Sequence, residues 1–101
     1  MGLGIVMKTR AMMLAPQDNV AIALTDLEAG LELDLRSEGH LFHVKLEESI
    51  PYQHKFSVAT VRSGEEIMKD GVVIGVATGG IQPGQHVHVH NMTGRRYKRL
   101  Q

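Results

Sequence analysis

The histidines near the C-terminus are the residues of this chain whose type and spacing best suit chemistry. His86, His88 and His90 alternate with Val87 and Val89. In an extended strand successive side chains point to opposite faces, so the pattern predicts an imidazole face and a valine face. Valine suits half-buried strands, and we expect both valines to pack inward. The imidazoles would then share a surface or a cleft, where neutral imidazole can bind metal ions and titrates near physiological pH.

The spacing of these histidines limits how they could bind a metal ion. Residues two apart on a strand are separated by about 6.6 Å, whereas Zn–N bonds are about 2.0–2.1 Å long. A regular strand therefore allows His86 with His88, or His88 with His90, to share one ion. All three span about 13 Å and cannot share it. The third imidazole would bind substrate, form a hydrogen bond or have no role, and a solvated polar strand face is the alternative.

Length and composition restrict the class of protein. The chain has 101 residues and no Cys, which indicates one domain without disulfides or a thiol nucleophile. Lys+Arg and Asp+Glu balance at 11 each, and aromatic residues make up only 4%, so neither charge nor stacking favours nucleic acid. The apolar run at 11–15 is too short for a signal peptide or a membrane span. We therefore expect a cytoplasmic protein that binds neither nucleic acid nor membrane.

Short β-rich segments separated by turn signals predict an all-β fold. The expected strands are 21–24, 31–35, 40–46, 55–59, 72–77 and 85–90. Glu28 and Glu65-Glu66 are expected to begin single helical turns, and no segment has the periodicity of a long helix. We expect residues 1–14 to be a loose leader or a first strand, residues 15–92 to be the domain, and residues 93–101 to be a basic tail.

A degenerate repeat underlies these segments. A small residue, an aliphatic residue, a glycine and a second aliphatic residue recur with the same spacing. The copies occupy residues 23–33, 57–67 and 77–87, with Gly30, Gly64 and Gly84 at the glycine position. Each copy predicts a strand end, a tight turn with a buried aliphatic side chain, a glycine in an unusual backbone conformation, and a new strand. The repeat therefore predicts structural corners, not a site.

Two of these turns, at 27–30 and 61–65, resemble the turn signature of SAF domains, the antifreeze-like β-clip modules. Four further segments occur in the order found in the N-terminal domain, or separate small subunit, of the altronate/galactarate dehydratase family. They are DNVAIAL at 18–24, IPYQHKF at 50–56, GVVIGVAT at 71–78 and GQHVHVHN at 84–91. The resemblance covers roughly residues 15–92. Gln53 stands where the family favours Gly before His-Lys, and Asp70 where an aromatic residue is common.

The resemblance implies a SAF-type β-clip that is one subunit of a carbon–oxygen lyase. The family dehydrates sugar acids: a base removes the proton α to the carboxylate, the β-hydroxyl leaves, and a 2-keto-3-deoxy acid forms. A divalent metal ion, Fe²⁺ or Mn²⁺, would act as a Lewis acid in the complete enzyme. The sequence has no obvious carboxylate cluster and is far shorter than a complete enzyme of this kind. We therefore expect it to be inactive alone and to share its site with a large dehydratase subunit, with self-association as a further option.

The resemblance also implies roles for individual residues. The expected roles are catalytic for His88 and His54, substrate-binding for Lys55, His90 and Asn91, and metal-ligating for His86 and His88. Lys55 would hold a substrate carboxylate as a point charge, with a surface strand lysine as the alternative. His40 and His43 match none of the motifs, and we expect them to lie on the surface.

Two other functions stay open. The small subunit of sulfolactate sulfo-lyase is similar and has a basic-aromatic tail after its His-Asn segment, as does this chain at Gly94-Arg95-Arg96-Tyr97. Asn19-Val20-Ala21 favours the altronate side. The second alternative is a non-catalytic SAF module that binds carbohydrate or acts in assembly, against which the histidine face and the absence of a secretory signal argue.

Overall fold

Residues 10–94 are the part of the chain that the computed structural model describes, and they fold as short β-strands. The strands are β1 (Ala11–Met12), β2 (Val20–Ala23), β3 (Glu32–Ser37), β4 (His40–Lys45), β5 (Lys55–Ser57), β6 (Glu66–Lys69), β7 (Val72–Ala77), β8 (His86–Val87) and β9 (Met92–Gly94). The predicted all-β class is confirmed. Within these residues the structure has no helix that could cross a membrane.

The strands form three antiparallel sheets. The central sheet has the order β1-β2-β5-β8, the hairpin β3-β4 stands alone, and β6-β7-β9 form the third sheet. Both hairpin turns use two residues with positive φ, Glu38-Gly39 at 48° and 85° and Asp70-Gly71 at 57° and 73°. Positive φ at both central residues is the type I′ geometry that matches the twist of paired strands. The local sequence therefore determines both hairpins.

The central sheet separates two hydrophobic cores. Paired residues on antiparallel strands share a face, and Ala21 pairs with Phe56 on the face that packs against the β3-β4 hairpin in the first core. Val20 pairs with Ser57 on the opposite face, where Val20 and Val87 belong to the second core, formed with β6 and β7. Phe56 of β5 and Val87 of β8 are each 0% exposed, so β5 contributes to the first core and β8 to the second.

The three copies of the repeat form the corners that the sequence predicts. Leu27, Val61 and Ile81 are buried at 1%, 2% and 0% exposure. Gly30, Gly64 and Gly84 have φ values of 90°, 88° and 90°, in the region that side chains other than glycine rarely adopt. The glycine N–H groups donate to Leu46, Ala77 and Ser57 carbonyls respectively, each at 2.8 Å. The corners thereby connect strands that are distant in sequence.

Asp18 and Asn19 join the segment between β1 and β2 to the third sheet. The buried carboxylate of Asp18 accepts hydrogen bonds from the backbone N–H groups of Ala15, Asp70 and Gly71 at 2.7–3.1 Å. The Asn19 side chain accepts from the N–H of Met68 at 2.8 Å and donates to the carbonyl of Glu66 at 3.0 Å. This part of the DNVAIAL segment therefore has a structural role.

Several element boundaries differ from the sequence expectations. Glu66 begins strand β6, and no helical turn forms at Glu28 or Glu65-Glu66 within the described residues. The strand expected at 85–90 is reduced to His86–Val87, because the chain turns at 88–91. β1 lies within the segment 1–14, with Ala11 and Met13 buried in the first core, and β9 continues to Gly94. The basic residues of the expected tail, 95–101, lie outside the described residues.

Gly84 is predicted to tolerate alanine less well than Gly64. Both have left-handed φ, but a Cβ at Gly64 would meet open space, whereas one at Gly84 would collide with the carbonyl oxygen of Lys45 and lie 3.1 Å from the Glu47 nitrogen. We expect Gly64→Ala to cost about 1–2 kcal/mol of unfolding free energy and Gly84→Ala clearly more, measured by urea denaturation. Equal losses for the two variants would contradict a tight approach at Gly84.

His43 is predicted to titrate above its ordinary pKa of about 6.5. Its ring nitrogens contact Asp34 Oδ1 at 2.7 Å and Glu32 Oε1 at 3.1 Å across the β3-β4 hairpin, and the hydrogen bond to Asp34 is the main cause of the raised pKa. The contribution of this contact to stability should be complete below the unfolded pKa and be lost as the pH rises through the folded pKa.

An NMR titration of the His43 imidazole tests whether its pKa is raised. Asp34→Asn should lower the pKa of His43 more than Glu32→Gln does, and a pKa insensitive to both substitutions would exclude the contact in solution.

Candidate imidazole site

Four of the six histidines meet at one end of the central sheet. The His54 ring lies 4.8 Å from His88 and 4.9 Å from His86, measured between centroids. The His86 ring lies 5.5 Å from His88 and 5.4 Å from His90. His54, His86 and His88 are half-buried, and His90 is exposed. These four residues, called the imidazole cluster below, form a compact and partly accessible set of titratable groups.

The turn after β8 brings His90 back to His86. The backbone N–H of Asn91 donates to the His88 carbonyl at 3.0 Å. The Asn91 side chain accepts from the His88 N–H at 3.0 Å and donates to the His86 carbonyl at 2.8 Å. Asn91, expected to bind substrate, therefore has its side-chain amide engaged in holding this turn.

The alternating strand face predicted for residues 86–90 is wrong beyond Val87. Val87 is fully buried as expected, but Val89 is 79% exposed, because the chain leaves the sheet before reaching it. The His86 and His90 rings are 5.4 Å apart, less than half the separation that a regular strand would impose. On a regular strand the three histidines would lie too far apart to share one ion, but this limit does not apply to the turn that the structure shows.

His54 and His86 are hydrogen-bonded to each other. His54 Nδ1 and His86 Nε2 lie 2.7 Å apart, and the tautomers decide which nitrogen donates. Burial lowers the pKa of His86, His54 and His90 lower it further, and Glu48 acts in the opposite direction. A lowered pKa keeps His86 neutral to lower pH, and a neutral imidazole can accept a proton. The hydrogen bond between the two rings is therefore a contact along which one proton could move.

Glu48 is a site residue that the motifs did not reveal. Its carboxylate accepts the backbone N–H of His86 at 3.0 Å, which fixes the start of β8 and adds a negative charge beside the imidazoles. Glu48 lies in the connection after β4, and Glu47 N–H donates to the Gly84 carbonyl at 3.0 Å. The only sequence signal was a pair of glutamates after an apolar strand, a common feature of surface loops.

Gln53 presents His54 from a strained backbone position. Its φ is 71°, a left-handed conformation that glycine adopts readily and that is uncommon for other residues. A left-handed φ is a physical reason for the glycine that the resemblance leads us to expect at this position. The Gln53 N–H donates to the Ala23 carbonyl at 2.8 Å, and the Ala23 N–H donates to the His54 carbonyl at 2.9 Å. These two hydrogen bonds hold His54 against β2, although Gln53 stands where the resemblance leads us to expect glycine.

Lys55 lies apart from the imidazole cluster. It pairs with Val87, on the face opposite to Phe56 and His86, because side chains alternate along β5. Burial, and then the nearby charge of Lys69, lowers the pKa of Lys55. The structure therefore brings together His54, His86, His88 and His90 but does not bring Lys55 to them.

The described residues do not form a complete metal site. Between Arg10 and Gly94 no group of three or more His, Asp or Glu side chains is arranged to hold an ion. The imidazole cluster contains suitable nitrogen donors, but His86 Nε2 is engaged with His54. The expected His86–His88 ligand pair stays a prediction, and further ligands would have to come from outside these residues.

The open antiparallel sheets joined by glycine corners are consistent with a SAF-type β domain. A family model described as the altronate/galactarate dehydratase SAF domain matches residues 9–95. The chain belongs to this family.

The chain is similar to proteins of two kinds. Altronate dehydratase of Escherichia coli (strain K12) is 38% identical over 74 residues, which cover 73% of this chain but 14% of that enzyme. Altronate dehydratase of Bacillus subtilis (strain 168) is 36% identical with the same 14% coverage. (2R)-Sulfolactate sulfo-lyase subunit alpha of Chromohalobacter salexigens is 29% identical, with 79% of this chain and 88% of that subunit covered. The chain thus spans about one seventh of the altronate dehydratases that it matches.

Asn91→Ala is predicted to loosen the imidazole cluster in the free protein. The substitution removes two hydrogen bonds from a half-buried turn, and we expect a loss of about 1–3 kcal/mol in unfolding free energy. The histidine ring signals in NMR spectra should shift as well. Thr93→Ala is the matched control, since its hydroxyl makes one long, exposed contact at 3.4 Å. An Asn91→Ala variant as stable as the control, with unchanged ring signals, would show that the side chain does not hold the turn.

Proposed function

We propose that this chain is the SAF component of a sugar-acid dehydratase similar to altronate dehydratase, which forms 2-keto-3-deoxy acids together with a large component on a separate chain. The observation that carries the proposal is the gathering of four imidazoles in a domain that is 38% identical to part of altronate dehydratase. Dehydration needs proton transfer at two positions of the substrate, and imidazole is the side chain best matched to such transfer near neutral pH.

His54 and His88 are the proposed catalytic groups. One imidazole takes the proton α to the substrate carboxylate, and the other protonates the β-hydroxyl so that it leaves as water. Their rings stack at 4.8 Å, and this short separation supports their acting on neighbouring carbons of one substrate. After turnover the base carries one extra proton and the acid lacks one. His86, hydrogen-bonded to His54 at 2.7 Å, would exchange a proton with His54, and proton exchange with solvent would return both catalytic imidazoles to their starting protonation states.

The remaining contacts to the substrate come from His90 and from the large component. His90 is exposed at the edge of the imidazole cluster, where its protonated form would attract a carboxylate. Lys55 faces away, and we expect it to affect stability more than turnover. A divalent metal ion, Fe²⁺ or Mn²⁺, when bound with further ligands from the large component, would supply Lewis-acid stabilisation of the enolised carboxylate.

A sulfo-lyase subunit is the second candidate function. The chain covers 88% of subunit alpha from Chromohalobacter salexigens and 91% of subunit alpha from Paracoccus pantotrophus. The similarity over most of these subunits is the observation that favours this candidate. The identities, 29% and 30%, are lower than the 38% shared with altronate dehydratase.

Reconstitution with the large component tests both candidates. The full chain is co-expressed with the dehydratase-like large component from the same genome and assayed with altronate, galactarate and sulfolactate, measuring 2-keto-3-deoxy acid and sulfite. We expect sugar-acid dehydration by the complex and none by the isolated chain. His88→Ala should lower kcat/KM about 100-fold or more, whereas His40→Ala, at the exposed start of β4, should leave it unchanged.

The two candidates give different results. Sulfite release without sugar-acid turnover would replace the dehydratase proposal with the sulfo-lyase. Full turnover by the His88→Ala complex would exclude a catalytic role for the imidazole cluster. Dehydration by the isolated chain, free of host enzyme, would exclude a shared site.

A further inference from the structure

Two large apolar side chains that neighbour the imidazole cluster along the chain are exposed, and the surface that they mark is called the rim of the cluster below. Val89, between His88 and His90, is 79% exposed, and Tyr52, two residues before His54, is 55% exposed. Tyr52 also lines an open groove of about 320 Å³ with Leu24, Thr25 and Asp26. Exposed apolar side chains are unremarkable singly, but a group beside polar functional residues is typical of a binding surface. Tyrosine in particular is enriched at protein–protein contacts.

These residues are held in place by the backbone contacts that order the site. The Tyr52 N–H donates to Asp26 Oδ1 at 2.8 Å, and the turn that carries Val89 is closed by Asn91 at both ends. A side chain on a fixed backbone loses less freedom on binding than one on a mobile segment. Val89 and Tyr52 are therefore suited to act as preorganised anchors.

We propose that the rim of the imidazole cluster is the surface that docks onto the large catalytic component, with Val89 and Tyr52 as its apolar anchors. The inference rests on the proposed function. The large catalytic component is the expected occupant because the matched altronate dehydratases are about seven times longer than the matched segment. His90 is exposed and His54, His86 and His88 are only half-buried, so a partner surface could reach the imidazoles from the solvent side.

The acidic side chains beside Tyr52 and His86 indicate which charge to expect on the partner surface. Asp26 and Glu48 are exposed; Asp26 accepts the Tyr52 N–H and Glu48 accepts the His86 N–H. A complementary surface would be apolar at its centre, to cover Val89 and Tyr52, and basic at its edge. Docking would also exclude water from the imidazoles, which strengthens electrostatic interactions with a bound substrate.

Affinity for the large component tests the proposal. The full chain is titrated into the purified large component by calorimetry, as wild type, Val89→Asp and Tyr52→Ala. We expect each of these two substitutions to weaken binding at least tenfold. The matched controls are Val72→Asp and Leu41→Asp, at side chains that are 61% and 58% exposed but belong to the far ends of other strands. They should change the affinity less than twofold, and thermal unfolding should show that all four variants fold.

Each outcome supports or overturns the docking surface. Unchanged affinity for Val89→Asp and Tyr52→Ala, equal losses in the controls, or no binding by the wild type would overturn it. Self-association of the isolated chain that Val89→Asp abolishes, with unchanged binding to the large component, would assign the surface to a second copy instead. Failure of the proposed function is distinguishable: a complex that forms through these anchors but turns over no sugar acid retains the docking surface and loses the dehydratase assignment.

Discussion

The close approach of Gly84 to the carbonyl of Lys45 is the constraint on which the arrangement of the site depends. A side chain at this position would collide with that carbonyl, so only glycine lets the corner before β8 pack against the end of β4. The approach brings Glu47 N–H to the Gly84 carbonyl and Glu48 to the His86 N–H. The hairpin β3-β4, which has no strand pairing with the central sheet, is thereby attached to it beside the imidazoles. The backbone contact between Gly84 and Lys45 lies outside the imidazole cluster, yet it determines where β8, the strand that carries His86, begins.

Much of the scaffold could be predicted from the sequence because its signals are local. The glycine corners need only a positive φ and one buried aliphatic side chain, and all three copies form as predicted. The Asp70-Gly71 turn and the segments around β2, β5 and β7 also follow from turn chemistry and β-rich composition. The family resemblance, carried by four ordered segments, is confirmed by the match over residues 9–95.

The geometry of the site could not be predicted, because it depends on where a strand stops. His86 to His90 satisfy an alternating pattern for five residues, yet the turn held by Asn91 ends the strand at Val87. Asparagine is common in turns, and its position after His90 was the available signal. The contact of His54 with His86 joins residues 32 apart and has no local signature. Glu48 was missed for the same reason, since its role depends on tertiary packing.

The side chains of Glu48 and Asn91 also influence whether a strand of another molecule can pair with the outer edge of β8. β8 is an edge strand of the central sheet, and such strands expose backbone groups that can pair with a strand from another molecule. At His86 both groups are already occupied: the N–H by the Glu48 carboxylate and the carbonyl by the Asn91 amide. The sheet therefore ends in two side-chain caps at this edge. Extension by a foreign strand here would first have to break both hydrogen bonds, so the residues that order the imidazoles also protect this edge against β-sheet aggregation.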